Sequence, residues 1–110
     1  MMNGWSEWHR FPDPRKDELL IAPFGPGCYE LRHGTQLVLY GIGDHVAVRM
    51  TSLLPAPLAC GTRDNRGKRT FVLDHLGSIE YRTMACATRQ EAKECERELQ
   101  AHRVDHRFRT

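Results

Sequence analysis

With 110 residues, the chain is long enough for one domain and hardly for two. Its hydrophobic fraction of 40% and charged fraction of 27% are ordinary for a globular protein, and its formal charge of +2 does not by itself indicate a charged partner. No apolar run approaches the roughly 18 residues that a membrane span needs. The N-terminus has no apolar signal-peptide region, so we expect a cytoplasmic location.

Residues 1–26 form a segment unlike the rest of the chain, and we interpret them as an N-terminal arm that precedes a domain over residues 27–110. Both tryptophans, Trp5 and Trp8, lie in this arm, and prolines and a glycine at residues 23–26 end any regular element. In one interpretation the arm packs its aromatic side chains over the domain or over a second subunit. In the other, these side chains stack on nucleic-acid bases.

Two strand-like runs at residues 27–32 and 36–40 are separated by a short link with a glycine, which predicts a β-hairpin. Asp44 then stands where an N-cap is expected, and apolar residues recur at helical spacing until the proline at position 55. Arg49 borders the apolar stripe of this predicted helix instead of pointing squarely at solvent.

The second half of the chain predicts a loop, a short helix over residues 68–76, a third strand over residues 79–86 and a final helix that ends at about His102. Thr88 and Glu91 form a capping box at the start of the final helix, because each side chain can bond a backbone N–H group of the other residue.

Glu96 stands apart from the other acidic residues of the final helix. Ala92, Cys95 and Leu99 form the apolar stripe of this helix, and at about 100° per residue Glu96 lies beside it. An unpaired buried carboxylate is costly, so helix geometry leaves two interpretations open. Glu96 forms a salt bridge with an arginine, or it has a catalytic or metal-binding role.

The four cysteines are spread along the chain, and none forms a C-x-x-C pair. A zinc site needs clustered ligands, and disulfides are unexpected in a chain without a secretion signal. The sequence therefore predicts buried thiols at Cys28, Cys60, Cys86 and Cys95.

Two basic segments, at residues 62–69 and 97–109, interrupt this nearly neutral chain. Such segments can bind phosphates by releasing counterions, or they can simply be solvated. Arg66, Lys68 and Arg69 are the candidates for nucleic-acid contacts in the first segment.

The order of these elements resembles the GIY-YIG nuclease domain, and several motifs carry the resemblance. G-C-Y at residues 27–29 stands where the family has G-I-Y, and V-L-Y-G-I-G at residues 38–43 stands where it has its Y-I-G element. H-V-A-V-R-M is similar to the stretch that holds the essential arginine, which corresponds to Arg49. T-x-x-E-A-x-x-x-E-x-x-L matches the last helix and places Glu96 on the metal-binding glutamate. The similarity covers about residues 27–107.

The resemblance implies an α+β fold, with a small three-stranded antiparallel sheet flanked by helices. It also implies a metal-dependent endonuclease that hydrolyses phosphodiester bonds in DNA with Mg²⁺ or Mn²⁺. In this picture Glu96 ligates the ion and Arg49 contacts the scissile phosphate. Tyr29 activates or orients the attacking water, with help from Tyr40. His45 is a candidate for proton transfer or substrate contact.

The residues also allow plainer interpretations. Tyr29 can be a core tyrosine with a satisfied hydroxyl, Arg49 can pair with Glu96, and His45 can be structural. The Y-I-G element is altered as well. If Tyr40 is its tyrosine, one residue fewer precedes Arg49, and if Gly41 takes that place the tyrosine is lost; we prefer Tyr40.

The altered element leaves a second function open, that of a GIY-YIG-like module that binds nucleic acid or protein without cutting. Small nuclease domains commonly take target recognition from attached domains. The sequence therefore also allows a homodimer or an accessory recognition protein as a partner.

Overall fold

An antiparallel sheet of four strands organises the chain, with the order β1-β4-β2-β3. The computed structural model describes residues 4–13, 16, 18–51, 53 and 66–108. Its strands are β1 (His9–Arg10), β2 (Gly27–His33), β3 (Gln36–Gly43) and β4 (Ile79–Ala85), and its helices are α1 (Val46–Thr51), α2 (Arg66–Asp74) and α3 (Arg89–Ala101). The predicted α+β class is confirmed. The predicted number of three strands is wrong, because the N-terminal arm adds β1 to the edge of the sheet.

Strand β2 lies between β3 and β4 and is buried on both faces over its first five residues. Side chains alternate along a strand, so Tyr29 and Leu31 face one side and Cys28 and Glu30 face the other. The link from β2 to β3 turns at Gly34, whose φ of 64° is the left-handed conformation that glycine adopts readily.

The main core lies on the Tyr29 side of the sheet, where α1 and α2 pack. Its largest fully buried side chains include Tyr29, Tyr81, Phe11 and Leu31. A smaller cluster on the other side joins the sheet to α3; its buried members are Cys28, Tyr40, Cys95 and Leu99. The sheet therefore separates two packed layers.

The predicted capping box starts α3. The Thr88 hydroxyl accepts a hydrogen bond from the Glu91 N–H group at 3.2 Å. The Glu91 carboxylate accepts in return from the N–H group of Ala87 at 3.0 Å, one residue before the cap. The predicted apolar stripe of this helix is buried as expected.

Helix α1 is shorter than the predicted helix. Its first N–H groups bond outside the helix: Val46 donates to the Gly25 carbonyl and Ala47 to the Pro23 carbonyl. The N–H group of Val48 donates to Nδ1 of His45 at 3.2 Å, so His45 supplies the side-chain cap predicted at Asp44. The loop predicted at residues 55–61 and the basic residues at 62–65 lie outside the described residues.

The N-terminal arm packs over the domain through its tryptophans. The guanidinium of Arg82 lies 4.4 Å from the ring centroid of Trp5 and 4.8 Å from that of Trp8, and Arg32 lies 4.1 Å from Trp8. These cation–π contacts occupy the aromatic faces. Trp5 and Trp8 therefore follow the first of the two interpretations, with their own domain as the surface that they cover.

The prediction of buried thiols is wrong for two of the cysteines. Cys28 on β2 and Cys95 on α3 form a disulfide across 67 residues of sequence, and Cys86 is a free, half-buried thiol. Cys60 lies outside the described residues. The fold brings together two side chains that the sequence separates widely, and the bond joins the sheet to the helix that carries Glu96.

A buried charged network lies on the α3 side of the sheet. The carboxylate of Glu30 accepts from Nε2 of His106 at 2.7 Å and from the Arg82 guanidinium at 2.7 and 3.0 Å. Burial acts to raise the pKa of Glu30, but hydrogen bonds from His106 and Arg82 and their charges outweigh it and hold the pKa below its ordinary value of 4.5. The ionised carboxylate is therefore the form that the folded state favours.

Replacing Glu30 by glutamine is expected to lower the free energy of unfolding at neutral pH by about 3 kcal/mol, because it removes one partner of a buried charged group. Because the pKa of Glu30 in the folded state is below 4.5, its ionised carboxylate stabilises the fold fully above pH 4.5. This stabilisation is lost as the pH falls through the folded-state pKa of Glu30. Urea unfolding of both proteins, from neutral pH down to about pH 3, measures the difference and its decline.

Glu80→Gln is the matched control for this measurement. Glu80 pairs with Arg32 at 2.7 Å, but both side chains are about one third exposed. Its loss should therefore cost less than about 1 kcal/mol. A Glu30→Gln variant as stable as this control at neutral pH would contradict the assigned role of the network.

Candidate active site

A cleft of about 370 Å³ opens between the end of β3, helix α1 and the start of α3. Its walls combine apolar and charged side chains; the lining residues are Ile42, Gly43, Asp44, His45, Val48, Arg49, Arg89 and Ala92. Asp44 and Arg89 form an ion pair at 3.5 Å, and both side chains are largely exposed. A cleft of this size accommodates a nucleotide-sized group.

Arg49 of α1 lines this cleft. It is exposed, and a Cβ built on Gly43 would lie 3.4 Å from Cβ of Arg49. The base of the Arg49 side chain therefore lies close to the end of β3. His45 lines the same cleft, and its Nδ1 is fixed by the bond from Val48. The structure thus brings together two of the predicted site residues.

Tyr29 lies in the main core with 1% of its surface exposed, and its ring lies over Gly41 on β3. A Cβ built on Gly41 would overlap the Tyr29 hydroxyl and ring carbons. Gly41 is the residue directly opposite Tyr29 in the sheet, and only glycine leaves room there for the tyrosine ring. The Tyr29 hydroxyl thus lies two residues along β3 from the cleft residue Gly43.

Tyr40 does not join Tyr29. The β2–β3 register shifts between Leu31 and Arg32, where a bulge places Gly41 opposite Tyr29 and Tyr40 opposite Glu30. Without that shift, the register at the turn would place Tyr40 opposite Tyr29 on the same face. The structure therefore places the two predicted tyrosines on opposite sides of the sheet.

Tyr40 lies on the α3 side of the sheet, where the charge of Glu96 acts on it. Burial raises the pKa of Tyr40, and the Glu96 carboxylate raises it further, while Arg103 acts in the opposite direction. Its hydroxyl is buried, and it has no hydrogen-bond partner within the described part of the chain. Glu96 itself is half-buried on α3, one turn after the cleft residue Ala92. Glu96 does not line the cleft, so the four predicted catalytic residues divide between the cleft, the core and the α3 side.

The candidates for DNA contacts on α2 lie elsewhere. Phe71 of this helix contacts the ring of His33, at the end of β2 farthest from the cleft. Lys68 is only 5% exposed, which does not favour a contact with a DNA backbone, whereas Arg69 is half-buried. Arg66 begins the helix. Lys68 and Arg69 therefore lie on a helix that packs at the other end of β2 from the cleft that His45 lines.

A magnesium site needs few protein ligands, since Mg²⁺ keeps several waters and takes one or two carboxylates. Within residues 4–13, 16, 18–51, 53 and 66–108, no group of three or more His, Cys, Asp or Glu side chains is arranged to hold a metal ion. Glu96 supplies one half-buried carboxylate, and the Tyr40 hydroxyl, whose pKa that carboxylate raises, is buried without a hydrogen-bond partner among the described residues. A single carboxylate is compatible with a water-rich Mg²⁺ site and not with a closed protein cage.

No family model and no curated protein matches the sequence. Among solved structures, the fold is similar to the GIY-YIG N-terminal endonuclease domain of UvrC from Thermotoga maritima, bound to its catalytic divalent cation, magnesium. The TM-score is 0.57 at 18% sequence identity, and the match covers 83% of this chain and 91% of that chain. The chain has a GIY-YIG-like fold. Because the sequence identity is only 18%, the similarity to this domain shows a shared fold alone.

Sequence reasoning missed two charged residues of the cleft, Asp44 and Arg89. The sequence predicts Asp44 as a helix cap. Arg89 lies between Thr88 and Glu91, and the capping pattern of those two residues accounts for the segment without a role for the arginine. The pairing of Asp44 with Arg89 across the cleft depends on the approach of α3 to the end of β3, which no local pattern predicts.

The described helices include none that is long and apolar enough to cross a bilayer.

Proposed function

We propose that the chain is a metal-dependent endonuclease that hydrolyses phosphodiester bonds in DNA. The observation that carries the proposal is the GIY-YIG-like fold, shared with an endonuclease domain, together with Arg49 at a nucleotide-sized cleft. Site roles follow from the chemistry that hydrolysis needs: an oriented water, charge relief on the phosphoryl oxygens and help for the leaving oxygen.

Arg49 is proposed to contact the scissile phosphate. A guanidinium presents several N–H donors in a rigid fork that matches two phosphoryl oxygens, and it stays charged at any ordinary pH. The base of the Arg49 side chain lies close to Gly43, at the end of β3, and the side chain lines the cleft. A guanidinium held at that position would stabilise the negative charge that develops on the phosphoryl oxygens.

Glu96 is proposed to hold the divalent ion, Mg²⁺ or Mn²⁺. When bound, such an ion supplies positive charge against the phosphoryl oxygens and positions reacting groups. The Glu96 carboxylate is half-buried and held on a regular helix. It therefore provides a fixed negative charge with partial protection from water.

Tyr29 is proposed to orient or activate the attacking water through its hydroxyl, which lies against Gly41 near the cleft end of β3. Tyr40 is on the other face and cannot assist it directly. Its hydroxyl is instead close enough to Glu96 for the carboxylate to affect its pKa, so we assign it a supporting position beside that carboxylate.

The test of this function is the nicking of supercoiled plasmid DNA. The wild-type protein should convert the plasmid to nicked circles in the presence of Mg²⁺ or Mn²⁺, and a chelator should stop the reaction because the charge relief is removed. Nicking that continues at the same rate in the chelator would contradict a metal-dependent mechanism.

Two observations favour the second function, a module that binds without cutting. Tyr29 is nearly inaccessible beneath β3, and Tyr40 faces away from it. In that case the protein should retain DNA binding that weakens steeply with salt, without nicks on any DNA. Binding by fluorescence anisotropy, run beside the nicking assay, separates the two functions.

A further inference from the structure

An exposed aromatic side chain stands beside the cleft. Phe24 is 81% exposed, and its ring stacks on that of His45, with centroids 5.5 Å apart and planes 28° from parallel. His45 lines the cleft together with Arg49 and Arg89. His45 thus connects the exposed ring of Phe24 to the cleft that Arg49 and Arg89 line.

The backbone around Phe24 is anchored on both sides. The carbonyl of Pro23 accepts from Ala47 at 2.9 Å, and the carbonyl of Gly25 accepts from Val46 at 3.1 Å. The stacking partner is also fixed, because Nδ1 of His45 accepts from the N–H group of Val48. Phe24 therefore projects from a fixed position, and little conformational entropy would be lost when a ligand covers it.

We propose that Phe24 and His45 form a stacking platform for an unpaired nucleobase. Every base has a flat π-face, and stacking on an aromatic side chain is a usual way of binding single-stranded nucleic acid. The neighbouring arginines complement the phosphate next to such a base, although Asp44 pairs with Arg89 and reduces the positive charge. The flat rings suit a planar base and the arginines suit a phosphate, so this surface favours a nucleotide as its ligand over a purely apolar protein segment.

The platform predicts which class of DNA the protein prefers to bind. Bases within a duplex are paired and stacked on each other, so their faces cannot reach a surface phenylalanine without being extruded. Flaps, gaps and single strands offer such faces freely. The inference rests on the proposed function and deepens it: the preferred substrate carries unpaired nucleotides near the site of cleavage.

The test compares the binding of two labelled DNAs in EDTA by fluorescence anisotropy: a duplex, and the same duplex with a short single-stranded flap. Wild-type protein should bind the flap DNA more tightly. Phe24→Ala should weaken that binding by about 5- to 100-fold, as expected for the loss of one stacked base, with little change for the duplex. Phe24→Trp should retain the preference, because it keeps a flat ring.

Leu19→Ala is the matched control, since Leu19 is an apolar side chain with a similar exposure of 82% but has no aromatic ring on which a base could stack. It should leave binding of both DNAs unchanged. Because Phe24 is exposed, its replacement should also leave the melting temperature of the protein near that of the wild type.

Three results of the DNA-binding assay would overturn the platform: equal wild-type affinity for both DNAs, flap binding unaffected by Phe24→Ala, or an equal loss for the two DNAs. Self-association that both Phe24→Ala and Leu19→Ala disrupt, without an effect on DNA binding, would assign the surface to a protein partner and also overturn it. Plasmid nicking reports separately on the proposed function. Nicking without a flap preference contradicts only the platform, and a flap preference without nicking contradicts only the enzyme.

Discussion

Glu96→Gln is expected to slow Mg²⁺-dependent nicking by about 10²- to 10³-fold, which is the usual effect of removing one fixed group that stabilises charge in the transition state. Glutamine keeps the size of the side chain and removes the negative charge that would attract the cation. Glu96 lies beside the buried stripe of α3, where glutamine can occupy the same space. Single-turnover nicking rates, measured over a range of Mg²⁺ concentrations, give the size of the effect.

Glu94→Gln is the control for Glu96→Gln. Glu94 is exposed on the same helix, and its replacement by glutamine changes the net charge of the protein by the same amount. The nicking rate of Glu94→Gln should stay within a factor of about two of the wild-type rate, as expected for a screened surface charge. Equal losses in both variants would show that the rate depends on net charge and not on a cation held by Glu96.

Loss of the Cys28–Cys95 disulfide is expected to lower the free energy of unfolding by about 4 kcal/mol. The bond closes a loop of 67 residues, and a loop of that length restricts the unfolded chain by about this amount. The double variant Cys28→Ser, Cys95→Ser removes the bond without leaving either of its two cysteines as an unpaired thiol. Urea unfolding of the oxidised wild type and the double variant measures the difference.

Cys86→Ser separates the effect of the bond from that of replacing a cysteine. Cys86 is a free, half-buried thiol, so its replacement should cost less than about 1 kcal/mol. A double variant that unfolds at the same urea concentration as the wild type would contradict a stabilising disulfide. The bond also links the backbone beside two proposed site residues, because Cys28 directly precedes Tyr29 and Cys95 directly precedes Glu96.

Much of the fold could be predicted because its signals are local. The glycine-containing link of the β2–β3 hairpin, the capping box at Thr88 and the apolar stripe of α3 each depend on residues within a few positions of one another. Strand β1 has only two residues, His9 and Arg10, which is too short for any alternation. Its partners on β4 lie about seventy positions along the chain, so only the folded sheet reveals it.

The candidate site was predicted less completely, for a physical reason that concerns register. Alternation tells which residues of a strand share a face, but it does not locate a bulge. The single shift between Leu31 and Arg32 exchanges Tyr40 for Gly41 opposite Tyr29. Helical spacing alone put Arg49 at the border of the apolar stripe of α1, and the structure has its side chain exposed at the cleft.

Side-by-side nicking of supercoiled plasmid by the wild type, Arg49→Ala and Glu96→Gln tests the central proposal most directly. All three should first show the same far-ultraviolet circular dichroism, so that a loss of activity is not a loss of fold. We predict that only the wild type forms nicked circles at an appreciable rate with Mg²⁺. Nicking at the wild-type rate by both variants would contradict the assigned site, and no nicking of any DNA by the wild type would contradict the enzyme.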